Sequence, residues 1–486
     1  MIPDLIAKRA ELSPEAVAME EPATGRTVTY AELDRRSARA ASLMAARGVG
    51  EGDRVAILCR NRIAFFEILF GCAKLGAILV PLNWRMPAPE LDQLVADAEP
   101  SLLFYGAEHE EVAAALAVPN IGLDAEYEVA APEARSFRRY WPTEGIWYLL
   151  YTSGTTGQPK GVIYTFQMAL ANYVNIRAAI GLTAADATPN FLPLFHTAGI
   201  NLHTLPALIE GARVIVLEGF DADALVALFE ERRITAFFAV PAVYQSLIEH
   251  PRFPFAALDH VRHWGCGGAP LPDALVERYR ILGIRVCNGM GMTETGPTAF
   301  LAAPEDAWEH VGSVGKPQLL CSVRIVGDDG RDAQAGEVGD LLFAGPGITP
   351  GYWRNPQATR EAFTDDGWLI SGDLAFRCPD GFYYVAGRRK EMFISGGENV
   401  YPAEVENVLC AHPAVSEVAV VAAPDLRWGE VGRAFILPIP GVAALDAAEL
   451  TAFCRARLAA YKVPRTFETV ADFPRTAAGK IQKHLL

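Results

Sequence analysis

Over much of the chain, apolar positions at helical spacing alternate with short apolar runs of strand length. Thr29-Tyr30-Ala31-Glu32 has the form of a capping box, in which the threonine hydroxyl accepts from a free N–H of the first turn, and it opens a predicted helix reaching about residue 47. A strand is predicted at 55–58, a helix near 63–75, a strand at 77–80, a helix near 89–96 and a strand at 102–105. The alternation returns at 212–217, 224–231, 236–240 and 243–249, as a second α/β layer rather than as a sequence repeat. Such layering predicts mainly parallel sheets.

The most apolar stretch, 65–82, is interrupted by Glu67 and Lys74 and contains Gly71 and Gly76, so it reads as a core helix followed by a strand rather than as a membrane span. From Ser322 onward the pattern changes to short strands with turns such as Asp328-Asp329-Gly330 and Pro379-Asp380-Gly381, which predicts a β-rich subdomain. From about Lys390 mixed α and β elements return. The predicted class is α/β: a large N-terminal domain, 1–389, of layered α/β subdomains plus a β-rich subdomain, and a small α+β C-terminal domain, 390–486.

Composition sets limits on function. With 486 residues, 51% apolar and 21% charged, the chain exceeds one hydrophobic core and has ample material for several. A formal charge of -15 argues against a nonspecific grip on nucleic acid, which needs clustered Lys and Arg. The eight cysteines, Cys59, Cys72, Cys266, Cys287 and Cys410 among them, form no CxxC pair, which suits a reducing compartment and speaks against structural zinc. Residues 1–15 carry charges throughout and lack the apolar stretch of a secretory signal, so the cytoplasm is the default location. A homodimer is compatible with the chain, but symmetric patches leave no legible mark in one sequence.

The densest chemistry lies in Tyr151-Thr152-Ser153-Gly154-Thr155-Thr156-Gly157-Gln158-Pro159-Lys160-Gly161. Glycines let backbone N–H groups approach an anion, hydroxyls add donors and Lys160 adds charge, so the stretch reads as a loop around a phosphate. It is not the loop of P-loop NTPases, because two residues rather than four separate Gly154 from Gly157 and no Gly-Lys-Ser/Thr ending follows. The segment resembles the signature loop of the adenylate-forming superfamily, which includes acyl-CoA synthetases, luciferases and peptide-synthetase adenylation domains.

Further motifs follow in that superfamily's order, from Thr29 to Lys480. Phe191-Leu192-Pro193-Leu194-Phe195-His196 resembles the segment whose histidine borders the acyl pocket; alone, such a histidine is more often a satisfied core residue. Gly265-Cys266-Gly267-Gly268-Ala269-Pro270-Leu271 resembles the adenine-side loop, and is equally a strand-to-helix turn. Asn288-Gly289-Met290-Gly291-Met292-Thr293-Glu294 resembles the segment in which Thr293 would contact the α-phosphate and Glu294 would bind magnesium, with Thr155 as a further metal contact. Met290 departs from the aromatic residue common there, so base stacking would be weaker or replaced by sulfur and backbone contacts.

Ser371-Gly372-Asp373 resembles the ribose clamp, with Arg388 as its second contact and Val385 beside the nucleotide. Lys390 aligns with the interdomain hinge. Ser395-Gly396-Gly397-Glu398 resembles the loop lining the coenzyme A tunnel, although a β-turn before a helix at 403–410 would also explain the glycines. Pro474-Arg475-Thr476-Ala477-Ala478-Gly479-Lys480 resembles the motif whose lysine enters the site during adenylation. Asn175, His196, Ala198, Tyr244, Gly291 and Met292 are candidates for the acyl pocket, and their mostly uncharged character favours a fatty or aromatic tail.

The resemblance implies an acid-thiol ligase using ATP, magnesium and coenzyme A. The substrate carboxylate would attack the α-phosphate, Lys480 would bridge the two, and the small domain would then turn about Lys390 to admit the thiol. Transfer to a carrier protein is an alternative, as is a catalytically silent nucleotide sensor. Retention of Lys160, Glu294, Asp373, Arg388 and Lys480 argues against the sensor, and no Asp near Phe195-His196-Thr197 offers itself to an amino-acid ammonium.

Overall fold

The computed structural model describes residues 1–486 without 125–126, 128–136, 154–158, 443–444 and 476–480; the side chain of Ser153 is also outside the description. In the first sheet, Asn120–Gly122, Leu102–Tyr105, Arg54–Leu58, Ile78–Pro81 and β1 (Ile146–Ser153) lie side by side and parallel, and β2 (Pro159–Thr165) closes the edge antiparallel to β1. A second sheet joins Ala187–Asn190, Arg213–Val216 and Val17–Glu21 in parallel, with Arg26–Thr29 antiparallel at its edge. The third sets β3 (Ala236–Ala239), β4 (His263–Cys266) and β5 (Val286–Gly291) in parallel, followed by antiparallel Thr298–Leu301 and Lys316–Pro317. The predicted parallel layering is therefore present in these three sheets, with the antiparallel strands gathered at one side of each.

The β-rich part is antiparallel: Ser322–Val326, Gly339–Ala344, β6 (Leu369–Arg377) and β7 (Tyr383–Arg388). Beyond it, β8 (Phe393–Ser395), β9 (Glu398–Val400), Val415–Asp425 and Gly429–Pro438 form a last sheet, which Thr466–Thr469 extends and helices Pro402–Cys410 and Ala447–Arg455 accompany. Its own core gathers Phe393, Val405, Leu409, Val418, Ala434 and Leu450.

Local chemistry explains the elements. Thr29 Oγ1 accepts from the Glu32 N–H at 3.2 Å and starts helix Tyr30–Ala46, whose buried Leu33, Ala40, Leu43 and Met44 join the same core as Phe65, Phe66, Leu69 and Phe70 of helix Ile63–Leu75. The two charges interrupting the apolar stretch are both satisfied. Glu67, fully buried, accepts from Arg26 at 2.5 Å, Arg36 at 2.6 Å and Tyr127 at 2.8 Å, and Lys74 is held by Asp4 at 2.6 Å and Asp34 at 2.5 Å. Glu67→Ala should cost about 3–5 kcal/mol of unfolding free energy in urea denaturation, because buried donors lose their acceptor; a loss below about 1 kcal/mol would show that water replaces it. Among the described residues no helix is long and apolar enough to cross a membrane.

Candidate active site

The signature segment is less of a loop than its composition predicts. Tyr151, Thr152 and Ser153 end β1, Pro159, Lys160 and Gly161 begin β2, and Thr152 faces Lys160 across the pair. Alternating in-and-out positions at the sheet edge favour this extension of the ladder. Gly154, Thr155, Thr156, Gly157 and Gln158 lie outside the described residues, so the phosphate and metal contacts expected of them stand on sequence alone.

Lys160 leads to the expected metal carboxylate through a residue that the motif series omits. Its Nζ lies 5.3 Å from the centre of the Tyr352 ring, and the Tyr352 hydroxyl donates to Glu294 Oε1 at 2.8 Å. Tyr352 is fixed because an isolated antiparallel bridge to Val162 holds it to β2: Ile163 N–H donates to Gly351 O at 3.1 Å and Trp353 N–H to Gly161 O at 2.7 Å. Burial, with the Glu294 charge beside it, pushes the Tyr352 phenol above its ordinary pKa, so it remains a donor to that carboxylate. Thr349 N–H, 2.9 Å from Glu294 O, secures the backbone of the same turn. Glu294 is thus a buried, oriented carboxylate, the kind of hard-oxygen group that magnesium prefers.

Thr293 presents its carbonyl to the Tyr164 hydroxyl at 2.6 Å, and the same hydroxyl reaches Thr197 Oγ1. One buried phenol, stacked on Tyr148 at 4.7 Å, therefore ties the Thr293–Glu294 turn to the turn holding His196. His196 is half-buried with its ring 4.6 Å from that of Phe195, and Ala198 opens the π-helix Ala198–Leu202. π-Helical turns occur often at functional sites.

At the carboxyl ends of β4 and β5, where parallel sheets place ligands, Gly267 is buried and Gly268, Ala269 and Pro270 are exposed. Asn288 Nδ2 donates to Ser313 O at 3.0 Å. Gly289 and Met290 pair with Leu301 and Phe300, and the half-buried side chains of Met290 and Met292 pack on the β-rich core. Gly291 has a packing reason of its own: a Cβ there would stand 1.7 Å from Pro297 O. Two acyl-pocket candidates are drawn elsewhere. Tyr244 is fully buried against Phe237 and Tyr279 and donates its hydroxyl to Gly265 O at 2.8 Å, while Asn175 Oδ1 accepts from Leu320 N–H at 2.8 Å. Both spend their polar groups on the fold.

Asp373 and Arg388 face each other across β6 and β7, with Arg388 Nε 3.0 Å from Asp373 Oδ1 and Nη1 3.2 Å from Ser371 O. Asp373 belongs to a strand interior rather than to a turn, and Val385 packs on the β-rich core beneath the pair. The turn after β7 holds Lys390, exposed, between two fastened neighbours. Arg389 is bound to Asp340 at 2.8 Å and Asp328 at 2.9 Å on the N-terminal side; Glu391 is bound to Lys483 at 2.9 Å on the C-terminal side. Ser395 and Glu398 pair directly, so Gly396 and Gly397 form a two-residue hairpin with φ of 62° and 90°, as a β-turn requires.

The C-terminal part docks beside the Ala269-Pro270 loop, where Asn407 Nδ2 donates to Asp273 Oδ2 at 2.9 Å. Thr476, Ala477, Ala478, Gly479 and Lys480 lie outside the described residues, but their flanks are anchored: Arg475 bridges Ile481, and Lys483 joins Glu391 to Glu406 at 2.7 Å.

The sequence matches the family model for AMP-binding enzyme over residues 6–353 and that for the AMP-binding enzyme C-terminal domain over 404–480. This chain belongs to the AMP-binding enzyme family. Within it, a feruloyl-CoA synthase of Amycolatopsis sp is 41% identical over 476 residues, 98% of this chain and 96% of that protein. An indoleacetate–CoA ligase of Aromatoleum aromaticum is 40% identical, with 98% and 96% covered. The o-succinylbenzoate CoA synthetase of Bacillus subtilis in complex with its acyl-adenylate superposes with a TM-score of 0.90 at 34% identity, covering 99% of this chain and 97% of that one. A double mutant of the same synthetase bound to a CoA product analogue, at the same 34% identity with 100% and 98% covered, gives 0.75. At nearly equal coverage, this AMP-binding enzyme is thus disposed more like the adenylate complex than like the product complex.

Proposed function

We propose that this AMP-binding enzyme is an AMP-forming acid–CoA ligase whose acid is aromatic, of the hydroxycinnamate type. The activity rests most heavily on the Lys160–Tyr352–Glu294 chain, which joins a cation beside the signature segment to a buried carboxylate. The acid class is supported by the 41% identity to a feruloyl-CoA synthase across nearly the whole chain and by the uncharged lining that His196, Ala198, Gly291 and Met292 would supply.

In the first half-reaction a carboxylate oxygen attacks the α-phosphorus of ATP and pyrophosphate leaves. Lys160 and the hydroxyls of 152–156 would steady the departing charge, Thr293 and Lys480 would hold the α-phosphate and carboxylate in line, and Asp373 with Arg388 would receive the ribose hydroxyls. Magnesium, when bound at Glu294, would neutralise phosphate charge. In the second, the CoA thiol attacks the acyl carbon, the C–O bond to AMP breaks and AMP leaves. Domain 390–486 would turn about Lys390 between the two steps, replacing Lys480 with the 395–398 hairpin. A thiol and a lysine cannot occupy one place together.

The test is AMP release from ferulate, cinnamate, benzoate, indoleacetate and palmitate, each with and without CoA. Hydroxycinnamates should exceed the fatty acid in kcat/KM by about tenfold or more, with turnover dependent on CoA. A fatty-acid preference would overturn the acid class, and turnover with a carrier protein in place of CoA would overturn the acceptor.

A further inference from the structure

We propose that His203 and His263 form the polar end of the acid pocket and receive the ring hydroxyl of a phenolic acid. This inference rests on the aromatic-acid reading above. His203 immediately precedes helix α1 (Thr204–Glu210), and His263 is the first residue of β4; their ring centroids are 5.9 Å apart. The rings are 6% and 3% exposed, and none of their four nitrogens has a hydrogen-bond partner among the described residues. Buried polar nitrogens left unpaired are costly, so two adjacent ones call for an occupant.

Position points to the acid. Residues alternate in direction along a strand, so His263 and Gly265 share one face of β4, and Gly267 follows just beyond its carboxyl end. That row starts at Gly267, beside the exposed nucleotide-side loop, and ends at His263 about 13 Å away, a span suited to a cinnamoyl group. Gly265 lets neighbouring rings close over the middle of the row: a Cβ there would lie 2.6 Å from the Phe238 ring and 2.9 Å from His263 Nε2, so Phe238 covers the row and must swing aside for a ligand to reach the histidines. Phe238 is opposite Gly265 in register and packs edge-on against His203 at 5.7 Å. A cavity of about 10 Å³, room for one oxygen, adjoins His203 and is lined by Ala198, Leu202, Thr204 and Phe238. Ala198 stands next to the His196–Thr197 turn, so the cavity continues the acid side of the site.

Chemistry selects the ligand group. Burial lowers the pKa of His203 to about 4 and that of His263 to about 3, so both rings are neutral near pH 7. A neutral imidazole carries one donor and one acceptor, and a phenol likewise gives one hydrogen bond and accepts others. A hydrocarbon tail would leave all four nitrogens unpaired, and a second carboxylate would meet no positive charge.

The experiment compares p-coumarate with cinnamate, which differ only in that hydroxyl. The wild type should favour p-coumarate in kcat/KM by about tenfold or more, as sites built to hydrogen-bond a hydroxyl do. His203→Phe and His263→Phe should bring the ratio close to one, because kcat/KM for p-coumarate falls about tenfold further than that for cinnamate, and His203→Gln, which keeps a donor and an acceptor, should retain part of the preference. In wild-type protein, the side-chain nitrogen resonances of both histidines should shift with p-coumarate and not with cinnamate, a readout independent of variant folding. An unchanged ratio in folded variants, an equal loss for both acids, or identical nitrogen shifts would overturn the proposal. Turnover of neither acid beside good turnover of palmitate would instead overturn the aromatic-acid reading.

Discussion

Lys480→Ala is expected to lower acid-dependent exchange of pyrophosphate into ATP by about two to three orders of magnitude, because it removes a charge that acts where negative charge builds in the transition state. Supplied acyl-adenylate should still acylate CoA at near wild-type rate, since the proposed second step has no place for this lysine. The described residues on either side of its segment are anchored: Arg475 bridges Ile481 and pairs with Glu417, and Lys483 bridges Glu391 and Glu406. A variant losing both half-reactions equally would contradict this division of labour. The measurement is a pair of assays on one preparation, pyrophosphate exchange and thioester formation from adenylate.

Lys390→Pro should do the reverse. Its neighbours are fastened to opposite sides, Arg389 to Asp340 and Asp328 and Glu391 to Lys483, so rotation between the two parts falls on the residue between them. Proline fixes φ near −65° and would hold one disposition. Because the disposition here is the one closer to an adenylate complex, single-turnover adenylate formation should stay within about threefold of wild type while steady-state thioester formation falls by about a hundredfold. Rapid-quench measurement of adenylate and thioester separates the two. Equal rates of thioester formation in wild type and variant would place the hinge elsewhere.

Much of this was legible in the sequence because its cause is local. The capped helix after Thr29, the apolar helix Ile63–Leu75 and the turn chemistry around Gly330 and Gly381 depend on neighbours a few residues away. Residue 390, where the chain's pattern of apolar and turn positions changes, lies in the turn between β7 and β8. Tyr352 escaped because its partner, Glu294, is 58 residues distant, and Tyr164 because its partner, Thr293, is 129 distant. An aromatic pair, Tyr352-Trp353, directly after Pro350-Gly351 was the available signal. The direction of the Tyr244 ring was not legible for a different reason. Its helix, Pro241–Glu249, starts two residues after β3 ends, and the phase between strand and helix decides which face the ring takes. That phase turned the ring into the core. Likewise, the alternation in β4 that aligns His263 with Gly265 appears only once the strand's limits are known.

The account depends on attack by the acid's own oxygen on the α-phosphorus. Ferulate labelled with heavy oxygen in its carboxylate, turned over with ATP and CoA and followed by mass spectrometry of the products, tests this directly. One labelled oxygen per turnover should appear in AMP, carried there when the thiol breaks the acyl C–O bond. Label in pyrophosphate or inorganic phosphate, or its complete absence from AMP, would contradict an acyl-adenylate.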